Sequence, residues 1–241
     1  MLFAAGLGLQ LRPLTDTMPK AMVPVGGRPL IDICLHHLIE QGASEVVVNV
    51  HHFAQQIIDY VNAHEWRIPV RISDESEELL NTGGGLHKAG ELFSDDGQPI
   101  LIHNVDILSN APIQEFYKNH LTHDATLLVS ERDTQRYLLF DDDMRLRGWT
   151  NIATGEVRSP FTNIEPEKLH RYAFSGIHMF SPRLFALMEH YPKAFPIMDF
   201  YLNECAKADI RGCVQPNLRL MDVGKLNTLH EAEHFVNELG L

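Results

Sequence analysis

Along the first half of the chain, short apolar runs alternate with segments in which apolar residues recur every three or four positions. The runs predict strands at Leu2 to Ala4, Glu45 to Asn49, Val70 to Ser73, Pro99 to His103 and Ala125 to Glu131. The periodic segments predict helices. One carries Leu30, Cys34, Leu38 and Gln41 on a single stripe, a second carries Phe53, Ile57, Tyr60 and Val61, and Pro112 is placed to open a third over Ile113 to His123. Strands that alternate with helices in this way imply a three-layer α/β/α fold with a mainly parallel central sheet covered on both faces.

After residue 131 the rhythm changes. Tyr137 to Phe140, the acidic turn Asp141-Asp142-Asp143 and Arg145 to Thr150 read as a β-hairpin, and Asn151 to Arg171, with Gly155, Pro160 and Pro166, reads as a loop. A strand at Tyr172 to Met179 follows, then helices at Pro182 to His190 and Pro196 to Lys207, a strand at Ile210 to Val214, and a turn at Asp222-Val223-Gly224. A terminal helix then carries Leu226, Leu229, Ala232, Val236 and Leu239. No repeat or linker interrupts the pattern, so residues 1–241 read as a single domain with halves 1–131 and 132–241.

Composition narrows the function classes. At 241 residues with 44% apolar and 22% charged positions, the chain is long enough to bury a core without disulfides or structural metal. Cys34, Cys205 and Cys213 are odd in number, lack metal-ligand spacing and read as buried thiols in a reducing compartment. No apolar run reaches a membrane span, and the amino terminus lacks a basic region ahead of its apolar stretch, so a cytoplasmic protein is expected. A net charge of −12 disfavours nucleic-acid backbones and anionic membranes as partners. A small anionic ligand held by a few cations and backbone N–H groups stays compatible with that charge.

The most informative segment is Ala4-Ala5-Gly6-Leu7-Gly8-Leu9-Gln10-Leu11-Arg12-Pro13-Leu14-Thr15, directly after the first strand, followed by Pro19-Lys20-Ala21-Met22-Val23-Pro24-Val25. Small residues and glycines let the backbone approach a ligand, and the N–H groups of such a turn make an anion-binding concavity. A dinucleotide fingerprint would need glycine where Leu11 stands, and a Walker A loop would need Gly-Lys-Ser/Thr; both are absent. Arg12 and Lys20 are the segment's only cations, and its prolines stiffen it.

GLGLQLRPLT and PKAMVPV resemble the signature of the sugar-1-phosphate nucleotidyltransferases. That resemblance implies a Rossmann-like fold in which 1–131 is the nucleotide-binding half and 132–241 carries a β-hairpin-containing sugar-binding part and the terminal helix. It also implies that Ala4, Ala5, Gly6 and Gly8 wrap a nucleoside triphosphate while Lys20 contacts phosphate near the reacting centre. One position departs from the signature: Gln10 stands where the family has arginine, and Arg12, two places on, offers a planar fork in its stead.

Asn81-Thr82-Gly83-Gly84-Gly85-Leu86 reads as a glycine-rich turn before a short helix at His87 to Leu92, and its resemblance to the family's base-recognition element implies that Thr82, Gly83 and Gly84 face the nucleobase. Asp106 lies just past the strand Pro99 to His103, where a carboxylate enters the ligand crevice of an α/β sheet and suits Mg²⁺. Val105 replaces the family's glycine beside it. Asp222 reads either as a helix N-cap or, by resemblance to the family's Asp-Val-Gly turn, as the second Mg²⁺ ligand. Gly176, in Phe174-Ser175-Gly176, is the implied anchor of the sugar side. His36-His37 and His51-His52 are adjacent and should diverge, His120 and His123 read as surface residues without a carboxylate nearby, and Asp141 to Asp143 read as a solvated turn.

The expected reaction joins an NTP and a sugar 1-phosphate into an NDP-sugar and pyrophosphate with Mg²⁺. The compact size and the strand at Phe174 to His178 resemble the short bacterial members of that family, and this resemblance implies UTP with N-acetylmuramate 1-phosphate or, ranked just behind, GTP with mannose 1-phosphate. Gln10, Val105 and the short first strand favour the alternative, a nucleotide- or sugar-binding paralogue with a regulatory role and little catalysis.

Overall fold

The computed structural model describes the backbone of residues 1–241 and every side chain except that of Asn227. Its main sheet is mixed. Strands Val70–Asp74, Val46–Val50, Leu2–Phe3 and Ile100–Asn104 lie side by side and parallel, in that spatial order. The long strand His170–Phe180 then runs antiparallel to Ile100–Asn104, with Ile177 opposite His103 and His178 opposite Ile102. On its other side Ala125–Ser130 pairs antiparallel with it and parallel with Ile210–Val214. The fifth strand thus runs in the expected direction, but an antiparallel strand from the second half of the chain separates it from the first four. Strand–helix alternation fixes the direction of successive strands without revealing which later strand inserts between them.

The amino-terminal part of His170–Phe180 also pairs with Arg136–Phe140, and the expected hairpin continues the sheet through Leu146–Asn151 to Glu156–Arg158. The predicted loop 151–171 therefore contains an edge strand and a 3₁₀ turn at Pro166–Lys168. All three residues of Glu156–Arg158 are exposed, so no apolar alternation marks the strand in the sequence. Three helices are shorter than their patterns: the one opened by Pro112 spans Ile113–Asn119, the one after Pro182 is a 3₁₀ turn followed by Phe185–Met188, and the one after Pro196 spans Ile197–Glu204.

The period-2 geometry of the strands divides the core in two. Val46, Val48 and Val50 join the cluster covered by helices Leu30–Glu40, Ala54–Asn62 and Leu229–Leu239, while Val47 faces the cluster covered by Asn81–Ala89 and Ile197–Glu204. Every residue of Val46–Val50 is buried, which is why this strand reads as an apolar run broken only by Asn49. Burying one such valine is worth about 1.5–3 kcal/mol. Cys34 is buried and Cys205 and Cys213 are half-buried, all as free thiols. No helix is long and apolar enough to cross a membrane.

The largest departure from the sequence reading is the glycine run. Residues expected to form a turn before a helix form the opening of helix Asn81–Ala89 itself. Three glycines depress helix propensity, so this helix is held by tertiary packing rather than by its own sequence. A Cβ on Gly83 would stand 2.8 Å from the Phe195 carbonyl and inside the Phe195 ring, one on Gly84 would strike the Lys193 carbonyl, and one on Gly85 would lie 2.6 Å from Glu75 Oε1. Glycine is required at each because a neighbour presses against the helix.

Candidate functional site

A cavity of about 520 Å³ opens at the carboxyl ends of the parallel strands, where α/β sheets receive ligands. The loop following Leu2–Phe3 forms one wall, from Ala4 to Gln10. Gly8 fixes the loop's shape: its φ is +63°, and a Cβ there would stand 2.8 Å from Thr15 Cγ2, whose hydroxyl donates to the Gly8 carbonyl at 2.7 Å. At Gly6 a Cβ would meet nothing within 4 Å, so the backbone is bare toward open space.

The charged residues converge beside this loop. Lys20, on the 3₁₀ turn Lys20–Met22 that follows Pro19, makes an ion pair with Asp106, and the two side chains are 14% and 24% exposed. Strand Ile107–Ser109 starts immediately after Asp106 and pairs antiparallel with Leu220–Asp222, setting Asp222 opposite Ile107. The Val223 N–H donates to the Asp106 carbonyl at 2.8 Å and locks the junction. A Cβ on Gly224 would stand 2.7 Å from Asp222 Oδ1 and 3.5 Å from Lys20 Nζ, so the carboxylate and the ammonium flank the same glycine. Crowding of the Asp222 carboxyl by surrounding chain, and then the nearby Asp106 charge, raise its pKa above the ordinary carboxylate range, although the residue as a whole is open to solvent. Asp222 is not an N-cap: the next helical turn begins after Lys225.

The sequence-predicted residues thus divide into two groups. Ala4, Ala5, Gly6, Gly8, Lys20, Thr82 and Asp106 line one cavity, with Asp222 at its edge through Gly224. Gly83 and Gly84 do not line it. Both of their N–H groups donate to the Phe195 carbonyl, at 2.8 and 3.2 Å, so the expected base-facing surface is used in packing; Asn81 and Thr82 present themselves to the cavity instead. The Thr82 hydroxyl accepts the Ile197 N–H at 2.9 Å. Arg12 is exposed and paired with Asp16 at 3.2 Å, outside the lining, whereas Gln10 is part of it. Gly176, with φ +76°, sits where the pairing of His170–Phe180 with Ala125–Ser130 shifts register, and a Cβ there would stand 2.9 Å from Asn104 Nδ2. Its place is behind Asn104, which does line the cavity.

Asn49 and Asn104 were missed by the sequence reading. Each is a polar residue in the carboxyl-terminal part of a parallel strand that opens with apolar residues, and that break in the pattern is the signal that marks them. Elsewhere the histidine pairs diverge as expected: His51 Nδ1 lies 2.6 Å from the Glu75 carbonyl and His52 Nε2 lies 3.2 Å from that of Thr15. His123 differs from expectation, since its Nδ1 lies 2.9 Å from Asp209. Asp141 accepts the Arg145 N–H and the Arg147 guanidinium, closing the hairpin turn. No group of three or more His, Cys, Asp or Glu among the described residues is placed to hold a metal ion. A larger cavity of about 670 Å³ opens at the other end of the strands, around Met1, Val46 and Ile100, and contains none of the candidate residues.

A glycine-rich loop, a lysine and two carboxylates at the carboxyl ends of a mixed α/β sheet lie within residues 1–238, the stretch that the nucleotidyl transferase family model matches. The chain belongs to the nucleotidyl transferase family. It is similar to the N-acetylmuramate alpha-1-phosphate uridylyltransferase of Caulobacter vibrioides, with 41% identity over 109 residues, or 44% of each chain. It is also similar to the mannose-1-phosphate guanyltransferase of Pichia angusta, with 27% identity over 207 residues covering 82% of this chain and 55% of the relative. The chain spans about half the length of these relatives. Among solved structures, HddC from Yersinia pseudotuberculosis, complexed with GMP-PN, matches with a TM-score of 0.74 at 21% identity, covering 97% of this chain and 96% of that one; the fold is the same.

Proposed function

We propose that this member of the nucleotidyl transferase family joins an NTP to a sugar 1-phosphate, releasing pyrophosphate. The observation that carries the proposal is the convergence of Lys20, Asp106 and Asp222 beside the bare backbone of the Ala4–Gln10 loop. The sugar phosphate, with a second pKa of about 6, is largely dianionic near neutral pH, so its oxygen attacks the α-phosphorus without a general base. One P–O bond forms to the sugar phosphate, the bond between the α-phosphorus and the bridging oxygen breaks, and pyrophosphate leaves with the electron pair. Loop N–H groups and Lys20 hold and neutralise the phosphates, and the hydrogen bond from the Val223 N–H to the Asp106 carbonyl fixes Asp106 relative to Asp222.

Two neighbouring carboxylates, one of them with its pKa raised by burial and by the other's charge, are a donor set suited to Mg²⁺, which takes one or two carboxylates together with phosphate oxygens and water. Asp106 and Asp222 would hold it, and a bound Mg²⁺ supplies charge neutralisation at the phosphates. For substrates, the proposal places UTP with N-acetylmuramate 1-phosphate ahead of GTP with mannose 1-phosphate. Support comes from the 41% identity to the Caulobacter uridylyltransferase against 27% to the Pichia guanyltransferase, although the former covers a shorter stretch.

A second reading rests on one feature: among the described residues Lys20 is the only Lys or Arg in the cavity lining, with Gln10 where the signature has arginine. A nucleotide-binding protein with weak turnover would look like this. Pyrophosphate release with Mg²⁺ across UTP, GTP, CTP and dTTP, each with several sugar 1-phosphates and with Asp106→Ala as blank, separates the two. Release confined to one pair supports transfer and names the substrates; NTP binding with no release from any pair supports the second reading.

A further inference from the structure

A buried polar bridge runs behind the cavity wall. Asn49 and Glu75 are each 2% exposed. Asn49 Oδ1 accepts the Ala4 N–H at 2.8 Å, Asn49 Nδ2 donates to Glu75 Oε1 at 2.7 Å, and Glu75 Oε2 accepts the Leu80 N–H at 3.1 Å. The bridge therefore joins the first residue of the glycine loop to the residue preceding helix Asn81–Ala89, two segments that both contribute to the lining. Asn49 touches the cavity; Glu75 lies behind it. No lysine or arginine among the described residues forms an ion pair with Glu75, and burial raises its pKa, so its two accepted hydrogen bonds are its main compensation.

We propose that Asn49 and Glu75 are positioning residues that hold the phosphate-side loop and the helix opening at Asn81 in one register, so that the nucleotide meets a preformed pocket. This assignment of a nucleotide rests on the function proposed above. The chemistry of the pair is directional. With Oδ1 committed to Ala4, Asn49 shows a donor to Glu75, and Leu80 shows another. Position 75 must therefore supply two acceptors, which a carboxylate does and an amide does not. Gly85 completes the arrangement, because a Cβ there would stand 2.6 Å from Glu75 Oε1 and 2.9 Å from Asn49 Nδ2. A site needed only for packing is filled as well by apolar side chains, without the desolvation cost of a carboxylate.

The test uses Glu75→Gln, which keeps volume but turns one acceptor into a donor, and Asn49→Ala. Two readouts are taken: backbone amide exchange in the unliganded protein, and steady-state KM for UTP and GTP. Glu75→Gln touches Leu80 directly, yet it is expected to speed exchange at residues 4–8 as well as at 80–84. KM for the accepted NTP is expected to rise about tenfold, with kcat and the sugar 1-phosphate KM changing less than about twofold. Unchanged exchange at 4–8 in Glu75→Gln overturns the proposal, as does a uniform loss across kcat and both KM values. Should Asn49→Ala fail to fold, the isosteric Glu75→Gln still decides. If the unmutated protein releases pyrophosphate from no substrate pair, the proposed function fails, while amide exchange at 4–8 still decides whether the bridge holds the loop.

Discussion

At the scale of single residues, the site concentrates opposite charges whose balance can be tested by sign. Lys20 sits between Asp106, with which it pairs, and Asp222, whose carboxyl already has a raised pKa. Lys20→Ala removes the only cation of the lining and leaves two carboxylates facing each other. It is expected to cut kcat/KM by about 10²–10³-fold and to lower the urea midpoint. Asp106→Asn should lose activity to a similar degree but hold or raise the midpoint, because it relieves the repulsion on Asp222. Equal midpoint losses in the two variants would contradict the charge arrangement. The same reasoning applies to Gln10, which lines the cavity with no charge. Gln10→Arg adds a second cation near the phosphates and should lower the NTP KM several-fold, an effect that shrinks with added salt.

At the scale of elements, helix Asn81–Ala89 is the informative case. Gly→Ala in an unencumbered helix interior stabilises by up to about 1 kcal/mol. Gly83→Ala and Gly84→Ala should instead destabilise by about 1–3 kcal/mol in urea unfolding, since each new methyl is driven into Phe195 or Lys193. The sign of that change shows why this helix was illegible in the sequence. Gly83 and Gly84 serve contacts made by residues more than a hundred positions away, and local propensity opposes the structure that results. The apolar strands and amphipathic helices were legible because burial on one or both faces writes a period into the sequence, as in Val46–Val50 and Leu30–Glu40. Glu156–Arg158 buries nothing and left no such trace. In the site, Lys20 and Asp106 could be named from motif and strand end. Asn49 and Glu75 could not, because a buried side-chain bridge has no fixed spacing in the sequence.

At the scale of the whole molecule, the seam where the antiparallel strand enters the sheet makes stability depend on pH. His103 and His178 lie on the two neighbouring strands of that seam, 3% and 1% exposed. Burial lowers their pKa values to about 4 and about 3, and His178 Nδ1 takes the hydroxyl of buried Tyr201 at 2.6 Å. In the unfolded chain both titrate near the ordinary value of 6.5. Below that value the unfolded state binds protons that the native state refuses. The histidines' contribution is therefore complete well above pH 6.5 and falls as pH drops, by about 1.4 kcal/mol per pH unit for each histidine once the unfolded chain is protonated; the buried amino terminus, whose pKa burial lowers from 8.0 to about 5, adds a loss of the same sign that begins near pH 8. Glu75 acts in the opposite sense, because burial, partly offset by its two accepted hydrogen bonds, raises its pKa. Urea midpoints measured from pH 7.5 to 5 should decline. His178→Gln keeps an acceptor for Tyr201 but takes up no proton in this range, so its decline should be shallower than that of the unmutated chain. A decline of the same slope in His178→Gln would mean that protons taken up elsewhere drive the acid loss.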